Sequence, residues 1–179
     1  SDSAPLIIAQ ELGLYADYGL NVSLHREVSW ANIRDKMIAG TFDACQMLAP
    51  MGMATTLGAA GIRAPIISGL VLSLNGNGIT LSSSLWNKLQ IDTGANTYDP
   101  LSTALALKAE IDRTGQQLTL ASVHNFSIHT LLLHQWLELA GIDPDRDARI
   151  IVLPPEQMVD SLAQGIIDGF CVGEPWNSI

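Results

Sequence analysis

The chain is poor in charged and aromatic residues, which make up 15% and 6% of its 179 residues. Hydrophobic residues make up 47%, and this share excludes a disordered chain and provides for a sizeable core. The formal net charge is −9, so the overall field disfavours nucleic acid and anionic membranes as partners. No apolar run reaches the roughly 18–20 residues of a membrane-spanning helix.

The sequence also lacks the short motifs that carry catalysis. It has no Gly-x-Ser-x-Gly, no phosphate-loop lysine motif and no Gly-x-Gly-x-x-Gly that opens a helix after a strand. Cys45 and Cys171 have no histidine near them in sequence, which favours buried free thiols. His129 and His134 are five residues apart, a spacing that does not suit a zinc helix. We therefore expect no enzyme, no metal and no cofactor.

The apolar pattern alternates between helical and strand periods along the chain. Helices are predicted over residues 4–14, 30–39, 52–60, 84–89, 100–114, 128–139 and 155–163. Strands are predicted over residues 20–24, 43–48, 66–74, 79–81, 118–123, 149–153 and 169–172. This alternation predicts an α/β fold with a mostly parallel sheet. Residues 75–78, Asn-Gly-Asn-Gly, interrupt a strand pattern and indicate either a crossing between two lobes or a β-bulge or hairpin.

Polar and aromatic residues stand at strand ends and helix starts, the edge where open α/β sheets bind ligands. Trp30 begins a helix, Asn77 lies in the crossing, and Gly173 ends the last strand. His129 falls in the first turn of a helix, where backbone N–H groups and the helix dipole favour an anion. The alternatives are structural roles: a helix staple at Trp30, a cap at His129 and a turn glycine at Gly173.

Six stretches together resemble the nitrate/bicarbonate-binding proteins, which are the periplasmic receptors of nitrate and bicarbonate ABC importers and the related cytoplasmic nitrate sensor. The stretches follow the family's order and cover residues 2–9, 29–36, 43–51, 141–145, 154–159 and 170–177. The last of them, Phe-Cys-Val-Gly-Glu-Pro-Trp-Asn, is very specific. The resemblance implies a type II periplasmic-binding-protein fold, in which two α/β lobes with mostly parallel sheets close over a ligand cleft.

The resemblance also implies a domain organisation. Residues 1–76 would form the first part of lobe one, residues 77–172 lobe two, and residues 173–179 the start of the return crossing to lobe one. The chain would then begin just after the family's first strand, and lobe one would be incomplete. A basic residue that nitrate-binding members use would lie downstream of this segment.

By resemblance, four residues fall on the anion-contact positions of the family: Trp30, Asn77, His129 and Gly173. Three further candidates for a ligand contact are Gln46, Ser127 and Glu174. An indole, an amide, an imidazole and a backbone N–H can surround the three oxygens of nitrate, and each buried oxygen without a donor would cost ~1–3 kcal/mol. The implied function is capture of a small oxyanion, foremost nitrate, for an ABC importer. Nitrite and bicarbonate are the alternative ligands, and with bicarbonate Glu174 is a candidate calcium ligand.

Two other functions stay open. The first is a cytoplasmic nitrate sensor that sequesters an RNA-binding antiterminator regulator until nitrate binds. The second is an enzyme of related fold, a pyrimidine-precursor synthase of thiamine biosynthesis, which requires a reactive histidine and a cysteine-rich or cofactor-bearing segment that this chain lacks.

Location and partners follow from the choice of function. A transport receptor would be periplasmic or membrane-attached and would work with ABC importer membrane subunits, whereas a sensor would be cytoplasmic. No direct nucleic-acid partner is expected for either. If the chain acts at this length, an unpaired edge strand near Phe170 would favour a homodimer.

Overall fold

The computed structural model describes residues 3–59, 61–74, 76–96 and 98–178. The chain divides into two compact units, Ser1–Asn75 and Gly76–Ile179. The division falls within the stretch 75–78 that interrupts the strand pattern. The assignment of the two units to lobes one and two of a binding protein stays a prediction.

The first unit is helical in its described residues. Its helices are α1 (Ala4–Glu11), α2 (Leu14–Asp17), α3 (Trp30–Ile38) and α4 (Ala49–Leu57). Gly13, with a φ of 72°, separates α1 from α2 and divides the single helix predicted over 4–14. Helix α3 begins where Ser29 Oγ accepts a hydrogen bond from the Asn32 N–H at 3.2 Å. Helix α4 starts three residues earlier than predicted, because proline is tolerated in a first turn and Pro50 occupies that position.

The three strands predicted in the first unit are wrong. Residues 20–24, 43–48 and 66–74 are extended or irregular and carry no strand pairing among the described residues. A strand persists only where a neighbour pairs its backbone N–H and C=O groups, and the described part of this unit supplies no such neighbour. Several of their apolar side chains consequently lie in solvent, with Ile67 93% and Leu74 80% exposed.

The second unit contains both sheet and helices. Its helices are α5 (Ser83–Thr93), α6 (Pro100–Thr114), α7 (Ile128–Leu139) and α8 (Pro155–Ala163). Its strands are β1 (Asn77–Leu81), β2 (Leu118–Ser122), β3 (Ala148–Val152) and β4 (Gly169–Gly173). These elements confirm the helices predicted over 100–114, 128–139 and 155–163, and each predicted strand of this unit is present within two residues. Helix α5 runs four residues past its predicted end.

Among the described residues, the strands form one sheet in the order β1-β4-β2-β3. Strands β2, β3 and β4 are parallel, with Leu120 opposite Gly169. Strand β1 is antiparallel to β4, with Asn77 opposite Gly173. The sheet is therefore mixed, and the α/β prediction is confirmed with one antiparallel edge strand. Because β1 runs against β4, the first residue of β1 and the last residue of β4 lie at the same edge.

The core of the second unit lies where α5, α6 and α7 cover the sheet. It is built from apolar side chains that include Leu89, Leu107, Leu120, Leu133 and Leu137. Buried leucine and isoleucine side chains contribute roughly 1.5–3 kcal/mol each when they leave water, so this cluster stabilises the packing of the helices on the sheet. In the described part of the chain, none of the helices combines the length and the apolar run that membrane crossing requires.

Candidate functional site

Two of the residues predicted to contact an anion face each other across the β1–β4 pair. Asn77 and Gly173 are register partners. Just beyond them, the Glu174 N–H donates a hydrogen bond to the Gly76 carbonyl at 3.0 Å. This bond lies one residue outside the pair, so Asn77 and Gly173 form a non-hydrogen-bonded pair of the antiparallel ladder. The Gly173 N–H therefore points away from β1 and does not bond to Asn77.

His129 lies at the same edge of the sheet. It is the second residue of α7, which begins beyond the carboxyl end of β2, and its side chain is 5% exposed. Ser127 caps this helix, because its Oγ accepts a hydrogen bond from the Thr130 N–H at 3.2 Å. The first N–H groups of any helix lack intrahelical acceptors, and the dipole there favours negative charge. Three predicted contact positions thus share one edge of the second unit.

The first turn of α7 is tied to β2 by hydroxyl groups that the sequence analysis did not single out. Thr130 Oγ1 donates to the His124 carbonyl at 2.8 Å and lies 2.6 Å from Ser122 Oγ. Because the single Thr130 hydroxyl proton goes to the carbonyl, Ser122 must be the donor in the second bond. This chain of bonds holds the backbone that carries His129. A serine at the end of a strand and a threonine in the first turn of the following helix are the sequence features that could have predicted these bonds.

His124 is a second histidine at this edge. It follows the last residue of β2 by two positions. Ala121 of β2 is the register partner of Phe170 in β4, and three residues further along each parallel segment are His124 and Gly173. The Phe126 N–H donates to His124 Nδ1 at 3.0 Å. A nitrogen that accepts a hydrogen bond carries no proton, so the ring holds its proton on Nε2 in this arrangement. His124 therefore presents a donor and is fixed in one tautomer.

The remaining candidates of the second unit have defined partners. Ser127 is fully buried and uses its Oγ to cap α7, which leaves it a structural role in this geometry. Glu174 is exposed, and its Oε2 accepts a hydrogen bond from Ser178 Oγ at 2.9 Å. Asn177, which the sequence analysis quoted only within a motif, bonds to both Thr80 and Val172. A ligand contact at Ser127 or Glu174 stays a prediction.

Trp30 and Gln46 belong to the first unit. Trp30 is the first residue of α3 and is half-buried, directly after the capping Ser29. Gln46 is half-buried in the segment that precedes α4. Their convergence with the positions of the second unit stays a prediction.

A cavity of about 80 Å³ lies at the opposite edge of the sheet. Its lining includes Ser82, Lys88, Glu110 and Asp168, and Asp168 immediately precedes β4. Two carboxylates in this lining make it a poor place for an anion. Among the described residues, no group of three His, Cys, Asp or Glu side chains is arranged to hold a metal ion.

The two cysteines differ in burial, and the expectation of a buried thiol holds for Cys171 only. Both are free, with Cys171 buried and Cys45 half-buried. Burial raises the pKa of Cys171 to about 12 and also raises the pKa of Cys45 above its ordinary value. A thiol with a raised pKa is a weak nucleophile and metal ligand at neutral pH, so both have structural roles in this fold.

Comparison with known proteins agrees with this architecture. The chain superposes on the crystal structure of the periplasmic nitrate-binding protein NrtA from Synechocystis PCC 6803 with a TM-score of 0.83. The two are 32% identical, and the match covers 98% of this chain and 44% of that one. The fold is therefore that of an α/β periplasmic binding protein, of which the chain spans less than half.

The chain belongs to the NMT1-like family, whose family model matches residues 1–179. It is 44% identical over 177 residues to the bicarbonate transport ATP-binding protein CmpC of Synechococcus elongatus. That match covers 98% of this chain and 25% of the relative. The chain is also 37% identical over 187 residues to the nitrate/nitrite binding protein NrtA of the same species. This second match covers 99% of the chain and 40% of that relative. These relatives confirm the resemblance to the nitrate/bicarbonate-binding proteins.

Proposed function

We propose that this chain forms part of a solute-binding protein that captures a small oxyanion, foremost nitrate, for an ABC importer. The observation that carries the proposal is the common placement of Asn77, His129 and Gly173 at one sheet edge. The carboxyl edge of parallel strands is where open α/β sheets bind their ligands. The matches to nitrate-binding NrtA proteins support the same ligand class.

The chemistry of the proposed contacts suits a planar anion of single charge. Asn77 supplies an amide N–H, Gly173 a backbone N–H that points away from β1, and His129 an imidazole N–H at a helix start. Trp30 would add an indole N–H from the first unit. With a net charge of −9, the protein must hold an anion by such local donors and not by its overall field.

Bicarbonate is the principal alternative ligand. The relative named for bicarbonate transport shares more identity with this chain than the nitrate/nitrite binding protein does, at 44% against 37%. The exposed Glu174 carboxylate beside Gly173 would repel a bare anion but could hold a calcium ion that accompanies bicarbonate. Calcium dependence therefore separates the two ligands.

We further propose a periplasmic or membrane-attached location and importer membrane subunits as partners. The relatives named above are a bicarbonate transport ATP-binding protein and a nitrate/nitrite binding protein, and they give no support to the antiterminator partner or the cytoplasmic sensor. The homodimer is not supported either, because Phe170 pairs with Thr80 of β1 and with Ala121 of β2 and the expectation of an unpaired edge strand there is wrong. A non-enzymatic role agrees with the absence of catalytic motifs from the sequence and stays a prediction.

A second candidate is an anion-binding module within a transport ATP-binding protein. It is favoured by the 44% identity to CmpC, of which the match covers 25%. The chain has no phosphate-loop motif, so the matched quarter would be a part other than the nucleotide-binding loop. Determination of the full encoded polypeptide decides between the two: a phosphate loop in the same polypeptide supports the module, and its absence supports the separate receptor.

The main proposal is tested by calorimetric titration with nitrate, nitrite, chloride and bicarbonate, the last with and without calcium. Saturable nitrate binding without calcium supports the proposal, and binding of bicarbonate alone would overturn the ligand assignment. Trp30→Phe removes the indole N–H, and His129→Gln replaces the imidazole with an amide whose N–H groups lie at a different position. Each should weaken binding by about 10- to 100-fold.

Matched variants are available for both substitutions. His134→Gln changes a half-buried histidine further along α7, and Trp86→Phe changes a half-buried tryptophan of α5. Both should bind the anion as the wild type does. If the matched variants weaken binding as much as His129→Gln and Trp30→Phe, then the assigned contacts are wrong.

A further inference from the structure

Asn177 bonds the segment after β4 to both strands of the β1–β4 pair. Its Nδ2 donates to the Val172 carbonyl at 2.8 Å, and its Oδ1 accepts from Thr80 Oγ1 at 3.0 Å. A carbonyl can only accept, so the amide nitrogen must face Val172 and the amide oxygen must face Thr80. The orientation of the Asn177 side chain is therefore determined by its two partners.

The Asn177 amide also packs closely against β1. A Cβ placed on Gly78 would lie 3.3 Å from Asn177 Cγ and 3.4 Å from its Nδ2. These distances are tighter than ordinary van der Waals contact, so the absence of a side chain at Gly78 allows this approach. Gly78 neighbours Asn77, which places the amide beside the predicted anion contacts.

The bond to Val172 bears directly on Gly173. The Val172 carbonyl and the Gly173 N–H belong to one planar peptide unit, in which the C=O and N–H of a trans peptide point in opposite directions. On the other side, the Glu174 N–H is held by the Gly76 carbonyl at 3.0 Å. Gly173 thus lies between two fixed peptide units, and the first of them aims its N–H away from β1.

We propose that Asn177 is a positioning residue whose amide holds the Val172–Gly173 peptide so that the Gly173 N–H points into the anion site. The inference deepens the proposed function and rests on it for the identity of the ligand. Thr80 contributes to this positioning, because its hydroxyl bonds to Asn177 Oδ1 and keeps the amide from rotating. The β1–β4 ladder also holds this peptide, because Gly78 and Val172 form a hydrogen-bonded pair, and Asn177 supplies a second bond to the same Val172 carbonyl. Glycine has a wider range of backbone angles than any other residue, so the second bond restrains position 173 further.

The experiment compares the wild type with Asn177→Ala and Thr80→Val, both of which leave the net charge unchanged. The first readout needs no ligand: the amide chemical shift and hydrogen exchange of Gly173 are measured by NMR in the anion-free protein. We expect a shifted resonance and faster exchange in both variants, with the larger change in Asn177→Ala. Thr80→Ser keeps the hydroxyl and should restore the wild-type shift.

The second readout is the affinity for nitrate, which should fall by about tenfold in Asn177→Ala, since one positioned donor is lost. Asn87→Ala, an exposed asparagine of α5, is the matched control and should change neither readout. If Asn177→Ala does not fold, Thr80→Val supplies the same comparison with one bond removed.

The outcomes separate this inference from the proposed function. An unchanged Gly173 amide in Asn177→Ala and Thr80→Val overturns the inference. Wild-type nitrate affinity in Asn177→Ala also overturns it, while the proposed function stands. If the Gly173 amide changes but the wild type binds no anion, the positioning role stands and the proposed function is wrong.

Discussion

Asn77 and Gly173 face each other at the end of the β1–β4 pair, and a methyl group placed on Gly173 would lie 3.5 Å from Asn77 Oδ1. This distance is an ordinary van der Waals contact, so the backbone tolerates alanine at this position. The same methyl group would fill the space beside the Asn77 amide and the Gly173 N–H. A single substitution, Gly173→Ala, can therefore separate an effect on anion affinity from an effect on folding stability.

We predict that Gly173→Ala folds as stably as the wild type but loses most of its anion affinity. The added methyl group causes no clash within the protein, yet it occupies the place where an anion would approach the two donors. The loss should be at least about tenfold, which corresponds to one donor contact. Calorimetric titration measures the affinity, and thermal unfolding measures the stability.

Gly169→Ala is the matched glycine substitution on the same strand. Its Cβ would lie 2.7 Å from Leu81 Cδ2 and 2.8 Å from the Thr80 carbonyl, so β1 and β4 would have to move apart. Overpacking of this kind costs about 1–3 kcal/mol, and we expect a clearly lowered midpoint of unfolding. Equal stability losses in Gly169→Ala and Gly173→Ala would contradict the steric argument for both.

We predict that Thr130→Val destabilises the protein by about 1–3 kcal/mol, because the buried His124 carbonyl loses its donor. The first turn of α7, which carries His129, should loosen at the same time. Urea denaturation measures the free energy of unfolding. Thr130→Ser keeps the hydroxyl and should lose much less, so similar losses in the two variants would show that the methyl group matters and the hydrogen bond does not.

Native-state labelling should distinguish the two cysteines. Cys171 is fully buried in the core with a raised pKa, whereas Cys45 is half-buried. A thiol-specific disulfide reagent at neutral pH should therefore modify Cys45 in the native protein and Cys171 only after unfolding. In Cys45→Ser, labelling of the native protein should disappear. If Cys171 in this variant reacts faster than the protein unfolds globally, then Cys171 does not lie in the core.

The pH dependence of stability should carry a contribution from Asp147. Its pKa is lowered from 3.8 to about 2, first by the hydrogen bond from Arg146 and then by the Asp143 backbone N–H. A lowered pKa means that the folded state favours the ionised carboxylate. Its contribution is therefore present above about pH 4 and is lost as the pH falls towards about 2.

The variant Asp147→Asn removes this titration. Its free energy of unfolding should be lower than that of the wild type above pH 4, and it should fall less steeply between pH 4 and pH 2. Asp145→Asn changes an exposed carboxylate two residues away and should keep the wild-type slope. If the free energy of unfolding falls equally steeply for the wild type and Asp147→Asn between pH 4 and pH 2, then Asp147 does not make this contribution.

The elements of the second unit follow from local patterns. Helix α6 is bounded by Asp99, whose side chain caps it, and by Gly115, which ends it with a positive φ. Helix α7 begins after the capping Ser127. Such boundaries depend on the chemistry of a few consecutive residues, so periodicity and caps were sufficient to predict them. The placement of His129 in a first turn is a consequence of the same signals.

Strand pairing depends on contacts between distant segments. The stretches 66–74 and 118–123 have comparable apolar patterns, yet only the second forms a strand in the described residues, because β3 and β4 pair with it. An alternating apolar pattern indicates that a segment is able to form a strand. Whether it does so depends on the tertiary fold, which places a neighbouring strand beside it to pair its backbone groups. This is why the strands predicted in the first unit were wrong.

By itself, the sequence determined the α/β class, the helices of the second unit and the residue types that suit an anion, since these depend on short-range periodicity, capping and chemistry. The tertiary structure alone decided that β1 is antiparallel to β4, which brings Asn77 opposite Gly173 from 96 positions away. It also decided that Asn177 bonds to Thr80 and Val172. Such contacts depend on chain reversal and register, which no local pattern specifies.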